Sequence, residues 1–194
     1  MSKELHFKYV NNIFQKQTKD YIIKEYMKHY DNKLSKSRYE KLYKNMDSLI
    51  NDTKNNAFFI ALDTSNSIVA SISISIFDNR IKPLQQKYKN RKIAEIGRCY
   101  VKKEYRRQGI ASKLLSLATL FAINKEYEKM YLHTHYFLPG GFNFWKKMGF
   151  CITLDEKDSL QTVHMEKSLQ TISKHNHKLA KIILWITIRL SSHY

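Results

Sequence analysis

Apolar residues recur with helical spacing in two long segments near the start of the chain. Residues 5–10 alternate and predict a short first strand. Residues 13–29 place apolar side chains three and four positions apart, which predicts an amphipathic helix. Residues 35–50 repeat that spacing behind Ser35 or Ser37 as the N-cap, so a second helix is expected there.

The pattern then changes to strands. Residues 57–62 are a compact apolar run, and residues 68–77 alternate Ile or Val with Ser or Ala. The segment between them, Asp-Thr-Ser-Asn-Ser, has the residue types of a turn, so the two runs predict a β-hairpin. Residues 78–92 are polar and basic and include Pro83, which favours a connecting loop or a frayed turn.

The remaining periodicity predicts helices over residues 109–125 and 141–148. It also predicts strands over residues 93–101, 129–136, 150–154 and 161–166. The whole order is β-α-α-β-β-β-α-β-α-β-β, a mixed α/β architecture. We expect one domain over residues 1–168 and an appended basic amphipathic helix within residues 169–194.

Composition permits a folded core and indicates attraction to anions. The 194 residues are 43% hydrophobic and 26% charged, with a formal net charge of +17. That charge favours nucleic acid, anionic lipid or a phosphorylated ligand as partner. Cys99 and Cys151 form no disulfide framework, and no Cys/His pattern predicts a metal site. The first residues resemble no secretion signal and no segment is apolar enough to span a membrane, so a cytoplasmic protein is expected.

The most informative stretch is a strand that runs through a basic turn into a helix. The turn reads Arg-Arg-Gln-Gly-Ile-Ala over residues 106–111. The first N–H groups of a helix are unpaired and partly positive, so a pyrophosphate would bind them. Gly109 permits an unusual backbone conformation, and Arg106 and Arg107 add charge. Neither a Walker sequence nor a three-glycine dinucleotide sequence is present.

These residues resemble the GNAT superfamily, the Gcn5-related N-acetyltransferases. Its signature, Arg/Gln-x-x-Gly-x-Gly/Ala after a strand, is matched by Arg106-x-x-Gly109-x-Ala111. A second family motif, an aromatic pair followed by a basic segment and Gly-Phe, is matched by residues 144–150. The resemblance covers roughly residues 5 to 168 and implies a twisted mixed sheet of six to seven strands with about four flanking helices.

The resemblance also implies an acyl-CoA cleft between two parallel strands that splay apart. It places the pantetheine arm beside residues 99–101 and the pyrophosphate on residues 107–112, with acetyl-CoA as co-substrate. A backbone N–H near Cys99 or Tyr100 would polarise the acyl carbonyl. The cofactor residues expected on this basis are Cys99, Tyr100, Val101, Arg106, Arg107, Gln108, Gly109, Ile110, Ala111, Ser112 and Trp145.

Glu95 is the expected general base, because its strand is similar to the one that carries the base glutamate in histone-acetylating relatives. A carboxylate in an apolar strand should have a raised pKa, which suits a base. The alternative is a structural ion pair, either with Arg98 or with a basic residue of the 78–92 segment.

Two departures from the family pattern concern the proton for the departing thiolate. Trp145 stands where many relatives have a tyrosine that acts as general acid, and an indole N–H is far too weak an acid. Leu138 replaces an asparagine that often precedes it. Water, Tyr136 or Tyr105 could supply the proton instead, or activity could have been lost.

The acceptor remains open. His133 and His135 lie two positions apart on one predicted strand and could titrate in the acceptor cleft, although packing or surface roles are the alternative. The basic, aromatic N-terminal region disfavours lysine-rich tails and favours a small amine or an amine on an acidic carrier such as a charged tRNA. Rival expectations are a non-catalytic module that binds CoA or nucleic acid, a membrane-surface contact by the C-terminal helix, and a homodimer.

Overall fold

The computed structural model describes residues 4–30 and 35–169, which form one seven-stranded sheet and five α-helices. The strands are β1 (His6–Tyr9), β2 (Ala57–Leu62), β3 (Ile68–Ile76), β4 (Ile93–Val101), β5 (Lys129–His135), β6 (Cys151–Asp155) and β7 (Thr162–Ser168). The helices are α1 (Gln15–Tyr30), α2 (Lys36–Asn51), α3 (Lys82–Tyr88), α4 (Ile110–Asn124) and α5 (Gly141–Lys147). The predicted mixed α/β class is confirmed.

The sheet has the strand order β1-β2-β3-β4-β5-β7-β6. Every neighbouring pair in it is antiparallel except β4 and β5, which run parallel. The parallel pair needs a long crossover, and α4 supplies it. Among the strands of residues 4–30 and 35–169, only β4 and β5, at the centre of the sheet, are neighbours whose ends point the same way.

Helices cover both faces of the sheet, and β2 shows why its sequence is apolar throughout. Ala57, Phe59 and Ala61 pack in the cluster that contains α4, whereas Phe58 and Ile60 pack in the cluster that contains α1 and α2. All six residues of β2 are buried, because alternate side chains enter opposite cores. The layers are thus α1 and α2, the sheet, and α4.

The segment predicted as a loop over residues 78–92 contains the helix α3, so that prediction was wrong. Pro83 lies in the first turn of α3, where its missing N–H costs no hydrogen bond. Leu84 and Tyr88 are four residues apart and are both buried, in a cluster with Phe77 and Tyr131. Only two apolar anchors stabilise this short helix, too few to stand out as a periodic pattern in a polar segment.

The appended C-terminal helix, with any membrane contact through it, lies outside the described residues. Within residues 4–30 and 35–169, no helix is long and apolar enough to cross a membrane. The same residues contain no group of three or more His, Cys, Asp or Glu side chains placed to hold a metal ion.

Candidate active site

β4 and β5 separate part-way along their length. They pair at Ile93 with Lys129, at residue 94 with residue 130, and at Glu95 with Tyr131. β4 continues to Val101 without further pairing to β5 in the described sheet. Its backbone groups on that side are therefore available to an extended ligand, as at the edge of a sheet.

A β-bulge lies in β4 just beyond the last pair with β5. Arg98 adopts a left-handed backbone conformation with φ 50°, and the β3–β4 register shifts between Ser71 and Ser73. The Ser71 hydroxyl donates a hydrogen bond of 2.8 Å to the Arg98 carbonyl oxygen, which fixes the irregular turn of the chain. Bulges bend a strand and redirect its side chains, so this one helps to open the gap.

The gap widens into a cleft of about 740 Å³. One wall is the end of β4, the second is the segment that joins β5 to α5, and the floor is the start of α4. Its lining includes Cys99, Tyr100, Val101, Tyr105, Arg106, Arg107, Gly109, Ile110, Ala111, Ser112, Thr134, Leu138, Gly140, Gly141, Asn143, Phe144 and Trp145. Of the cofactor residues expected from the sequence, Gln108 alone is not among these lining residues; its amide donates to the Glu104 carbonyl at 3.3 Å.

The loop between β4 and α4 has the form of an anion site. Arg107 and Gly109 both have left-handed backbones, with φ 61° and 75°. The Lys113 N–H makes the first bond of α4, to the Gly109 carbonyl, so the preceding N–H groups of the helix start are left for a ligand. The Arg106 Nε donates to the Val101 carbonyl at 3.0 Å and ties the loop to β4. Such a loop can bind a pyrophosphate.

Trp145 lines the cleft from a buried position, with 6% of its surface exposed. Its ring packs edge-on against Phe144 and Phe150, at centroid distances of 4.8 and 5.4 Å. This aromatic cluster shapes the wall of the cleft but offers no acidic proton. Of the two tyrosines considered as substitutes, Tyr105 lines the cleft but donates its hydroxyl to Asp63 at 3.2 Å.

Tyr136, the other candidate, lies outside the lining of the cleft. It is 39% exposed and its hydroxyl donates to the Asp155 carboxylate at 3.1 Å. Cys99 lines the cleft and packs partly against the core. Burial raises the pKa of its thiol to about 12, so this cysteine is protonated at neutral pH and is a poor nucleophile.

Glu95 has the opposite pKa shift from the one expected, and the prediction of a raised pKa was wrong. Burial does raise its pKa, but two hydrogen bonds from Arg80, with a smaller contribution from His133, outweigh burial and lower the pKa to about 2. The two Arg80 Nη atoms lie 2.6 and 2.5 Å from the two carboxylate oxygens. The structural alternative, an ion pair with a basic residue of the 78–92 segment, is what the structure shows.

A cluster of imidazoles lies beside this ion pair. His133 Nδ1 is 3.6 Å from a Glu95 oxygen, and the His133 ring is 6.2 Å from the rings of His135 and His164. His164 is buried between the Tyr131 hydroxyl and the Glu156 carboxylate, at 2.6 and 2.7 Å. The sequence left open which basic residue of the 78–92 segment pairs with Glu95, and it gave no sign that His164 lies beside His133, because these contacts join segments that are distant along the chain.

A groove of about 720 Å³ adjoins the cleft and shares His29 and Arg106 with it. The His29 and Tyr100 rings stack at 6.2 Å with an interplanar angle of 11°, at the boundary between the two openings. Burial and the nearby Arg106 lower the pKa of His29. His29 was missed by the sequence analysis, since a histidine at the end of an amphipathic helix carries no signal of its own.

Comparison with family models decides the family. Residues 18–150 match the model described as the acetyltransferase (GNAT) family. The chain belongs to the GNAT family. Comparison with proteins of curated function finds no match.

Solved structures show the same fold. An acetyltransferase of the GNAT family from Staphylococcus aureus MU50 has a TM-score of 0.66 at 16% identity, over 86% of this chain and 100% of that one. PaiA N-acetyltransferase from Thermoplasma acidophilum, in complex with coenzyme A, has a TM-score of 0.63 at 20% identity, over 86% and 99%. The NatC complex bound to Gag peptide and CoA has a TM-score of 0.60 at 19% identity, over 86% and 99%.

Membership of the GNAT family accounts for the elements that shape the cleft. The matched residues run from α1 through the β4–α4 loop to Phe150, so both motifs found in the sequence lie inside the family match. The identity to the solved structures is low, so they establish the fold and not the acceptor.

Proposed function

We propose that this GNAT protein is an N-acetyltransferase that transfers the acetyl group of acetyl-CoA to a primary amine. The observation that carries the proposal is the separation of β4 and β5 into a cleft that ends on the β4–α4 loop. That arrangement joins an unpaired strand edge to a helix N-terminus. The first suits an amide-containing arm and the second suits a pyrophosphate, and coenzyme A contains both.

The residues of the cleft fit this ligand. The edge of β4 from Cys99 to Val101 can pair with the amides of pantetheine. The N–H groups at the start of α4, with Arg106 and Arg107, can hold the pyrophosphate. Two structures of the same fold, PaiA N-acetyltransferase and NatC, contain coenzyme A, which supports the assignment.

The reaction requires an amine that has lost a proton and a thiolate that gains one. A backbone N–H of the bulged end of β4 would polarise the thioester carbonyl as the amine attacks. Trp145 cannot protonate the thiolate, and the Tyr105 hydroxyl is engaged by Asp63. Water that enters the open cleft is therefore the proton source that we assign to the thiolate.

The acceptor is proposed from charge. With a net charge of +17, the protein repels strongly basic partners and attracts amines carried on anions. Four basic residues that are close in sequence line the cleft or the adjoining groove: Lys102, Lys103, Arg106 and Arg107. A small amine or an amine on an acidic carrier, including an aminoacyl-tRNA, fits this field better than a lysine-rich tail.

A specific observation favours a second candidate, a CoA-binding module without turnover. Trp145 replaces the proton donor that many GNAT enzymes use, while all the expected cofactor residues except Gln108 line the cleft. The two candidates differ in thiol release, since a binding module binds acetyl-CoA and releases no free thiol.

The test measures binding and turnover separately. Calorimetry with acetyl-CoA reports binding, and an aromatic disulfide reagent reports free CoA thiol in the presence of benzylamine, spermidine, glucosamine or a tetra-alanine peptide. The enzyme should bind acetyl-CoA and release thiol only when an amine is present. Binding with no thiol release for any amine would favour the module, and no binding at all would remove both functions.

A further inference from the structure

We propose that His133, oriented by Glu95, accepts the proton of the acceptor amine. This inference rests on the proposed acetyltransferase function and assigns a catalytic residue within it. It replaces the direct role of Glu95 as base with a positioning role. The reasons are the place of His133 in the sheet, the pairing of Glu95, and the contacts of the neighbouring histidines.

His133 lies at the point where the two strands diverge. The last pair between β4 and β5 joins Glu95 to Tyr131, and His133 is the next residue of β5 on the same face as Tyr131. Thr134, on the opposite face, lines the acyl-CoA cleft. A thioester held in the gap between the strands would therefore have His133 on the side opposite the wall formed by Thr134.

That side of the sheet is the one from which an acceptor can approach. α4 packs on the other face, with β2, β3 and β4. On the His133 face, 41% of the His133 side chain is exposed, whereas only 13% of the Glu95 side chain is exposed. An amine that enters from solvent thus reaches the imidazole before it reaches the carboxylate.

Glu95 is held by its ion pair and is a poor base. Both of its oxygens accept hydrogen bonds from Arg80, and a carboxylate with a pKa of about 2 takes no proton from an ammonium group at neutral pH. The same carboxylate lies 3.6 Å from His133 Nδ1. An acceptor at that position favours the tautomer with the proton on Nδ1, which leaves the Nε2 lone pair free to act as base.

The charged and titratable groups around His133 have contacts of their own. They are Arg80 from the segment before α3, Glu95 from β4, His135 from β5, His164 from β7, and Glu156 from the segment between β6 and β7. His135 Nδ1 donates to the Leu160 carbonyl at 2.9 Å, and both nitrogens of His164 are hydrogen-bonded. Among the described residues, no hydrogen bond is made to His133 Nε2, so this nitrogen is open to a substrate.

The ammonium form of the acceptor gives one proton to His133 Nε2, and the freed amine nitrogen attacks the thioester carbonyl carbon. The C–N bond forms and the C–S bond breaks. Water in the cleft takes the second proton from the nitrogen and gives a proton to the departing thiolate, which leaves as the free thiol. His133 then returns its proton to solvent through its exposed edge. An imidazole suits this cycle, because its neutral ring has one nitrogen that can accept a proton.

The test compares His133→Gln with wild type, using the amine of the panel above that gives the fastest thiol release. We expect kcat to fall at least about 100-fold, the range for loss of a general base, and the acidic limb of its pH profile to disappear. The dissociation constant of acetyl-CoA and the thermal midpoint should stay within twofold and about 2 °C of wild type. Added imidazole should restore part of the rate to His133→Ala, which a purely structural role would not allow.

The matched control is His135→Asn, whose side-chain amide can replace the hydrogen bond to Leu160. It should keep the wild-type pH profile. Glu95→Gln should lower kcat by about 10-fold and displace the midpoint of the acidic limb, because it perturbs the base without removing it. Turnover by wild type together with an unchanged pH profile for His133→Gln would overturn the role of His133 alone. No amine-dependent thiol release by wild type would overturn the acetyltransferase function, and the role of His133 with it.

Discussion

Replacement of Arg80 by glutamine should destabilise the folded protein at neutral pH through the charge that it leaves behind on Glu95. Glu95 has 13% of its side chain exposed and depends on Arg80 for both of its strong hydrogen bonds. Its pKa is about 2 in the folded protein, against an ordinary value of 4.5. The difference of about 2.5 pKa units corresponds to roughly 3 kcal/mol of folding free energy.

Solvent reduces that value, since 40% of the Arg80 side chain is exposed. We therefore expect Arg80→Gln to lower the free energy of unfolding by about 2 kcal/mol at pH 7. The sign follows from the lowered pKa. The contribution of the pair is fully present above about pH 4.5 and is lost as the pH falls toward 2, so wild type and variant should converge in acid.

Urea denaturation at pH 7 and near pH 3 measures both effects. Arg91→Gln is the matched control, because Arg91 lies in the same connecting segment, is exposed, and makes no ion pair with any described residue. Arg80→Gln with Glu95→Gln in one chain should recover part of the loss, as neither charge is then buried alone. A variant at Arg80 that is as stable as the Arg91 variant at pH 7 would refute the reasoning.

Two further predictions concern the cleft. Gly109→Ala should weaken acetyl-CoA binding and cost about 1 kcal/mol of stability, because φ 75° is unfavourable for alanine although a Cβ there would meet no atom within 4 Å. The control is Gly149→Ala, since Gly149 has φ 84° but does not line the cleft. It should cost similar stability and leave the dissociation constant of acetyl-CoA unchanged. Equal losses of acetyl-CoA affinity in the two variants would contradict a role of the Gly109 loop in binding. At pH 8 an aromatic disulfide reagent should react quickly with one thiol, the exposed Cys151, because burial raises the pKa of Cys99 to about 12. Cys151→Ser should remove the fast phase. A fast phase that survives this substitution would show that Cys99 is reactive.

Much of the fold could be predicted because its signals are local. Residue spacing and turn residues within about twenty consecutive positions are enough to predict three features: the two N-terminal helices, the β2–β3 hairpin and the β4–α4 loop. The helix α3 could not be predicted in the same way. Its two buried side chains pack against Phe77, which follows β3, and against Tyr131 of β5.

The candidate site likewise has one part that the sequence could predict and one part that it could not. The anion-binding loop is a property of consecutive residues, 106–112, so the sequence alone could predict it. The pairing of Glu95 depends on Arg80, fifteen positions earlier, and its contact with His133 depends on the parallel register of β4 and β5. The sequence predicted correctly that burial raises the pKa of Glu95, but the combined effect of Arg80 and His133 is larger. An ion pair with the 78–92 segment was only one of two alternatives, and the sequence could not choose between them.

The sequence by itself thus determined most of the helices and strands, though not α3, and where a helix start could bind phosphate. Side-chain periodicity and turn residues within a segment are enough to specify these features. The tertiary structure decided the charge state of Glu95, the exposure of His133 and the opening of the cleft. Each of these depends on atoms from separate segments that meet only when the sheet pairs, and electrostatic energies change steeply over the few ångströms that this pairing sets.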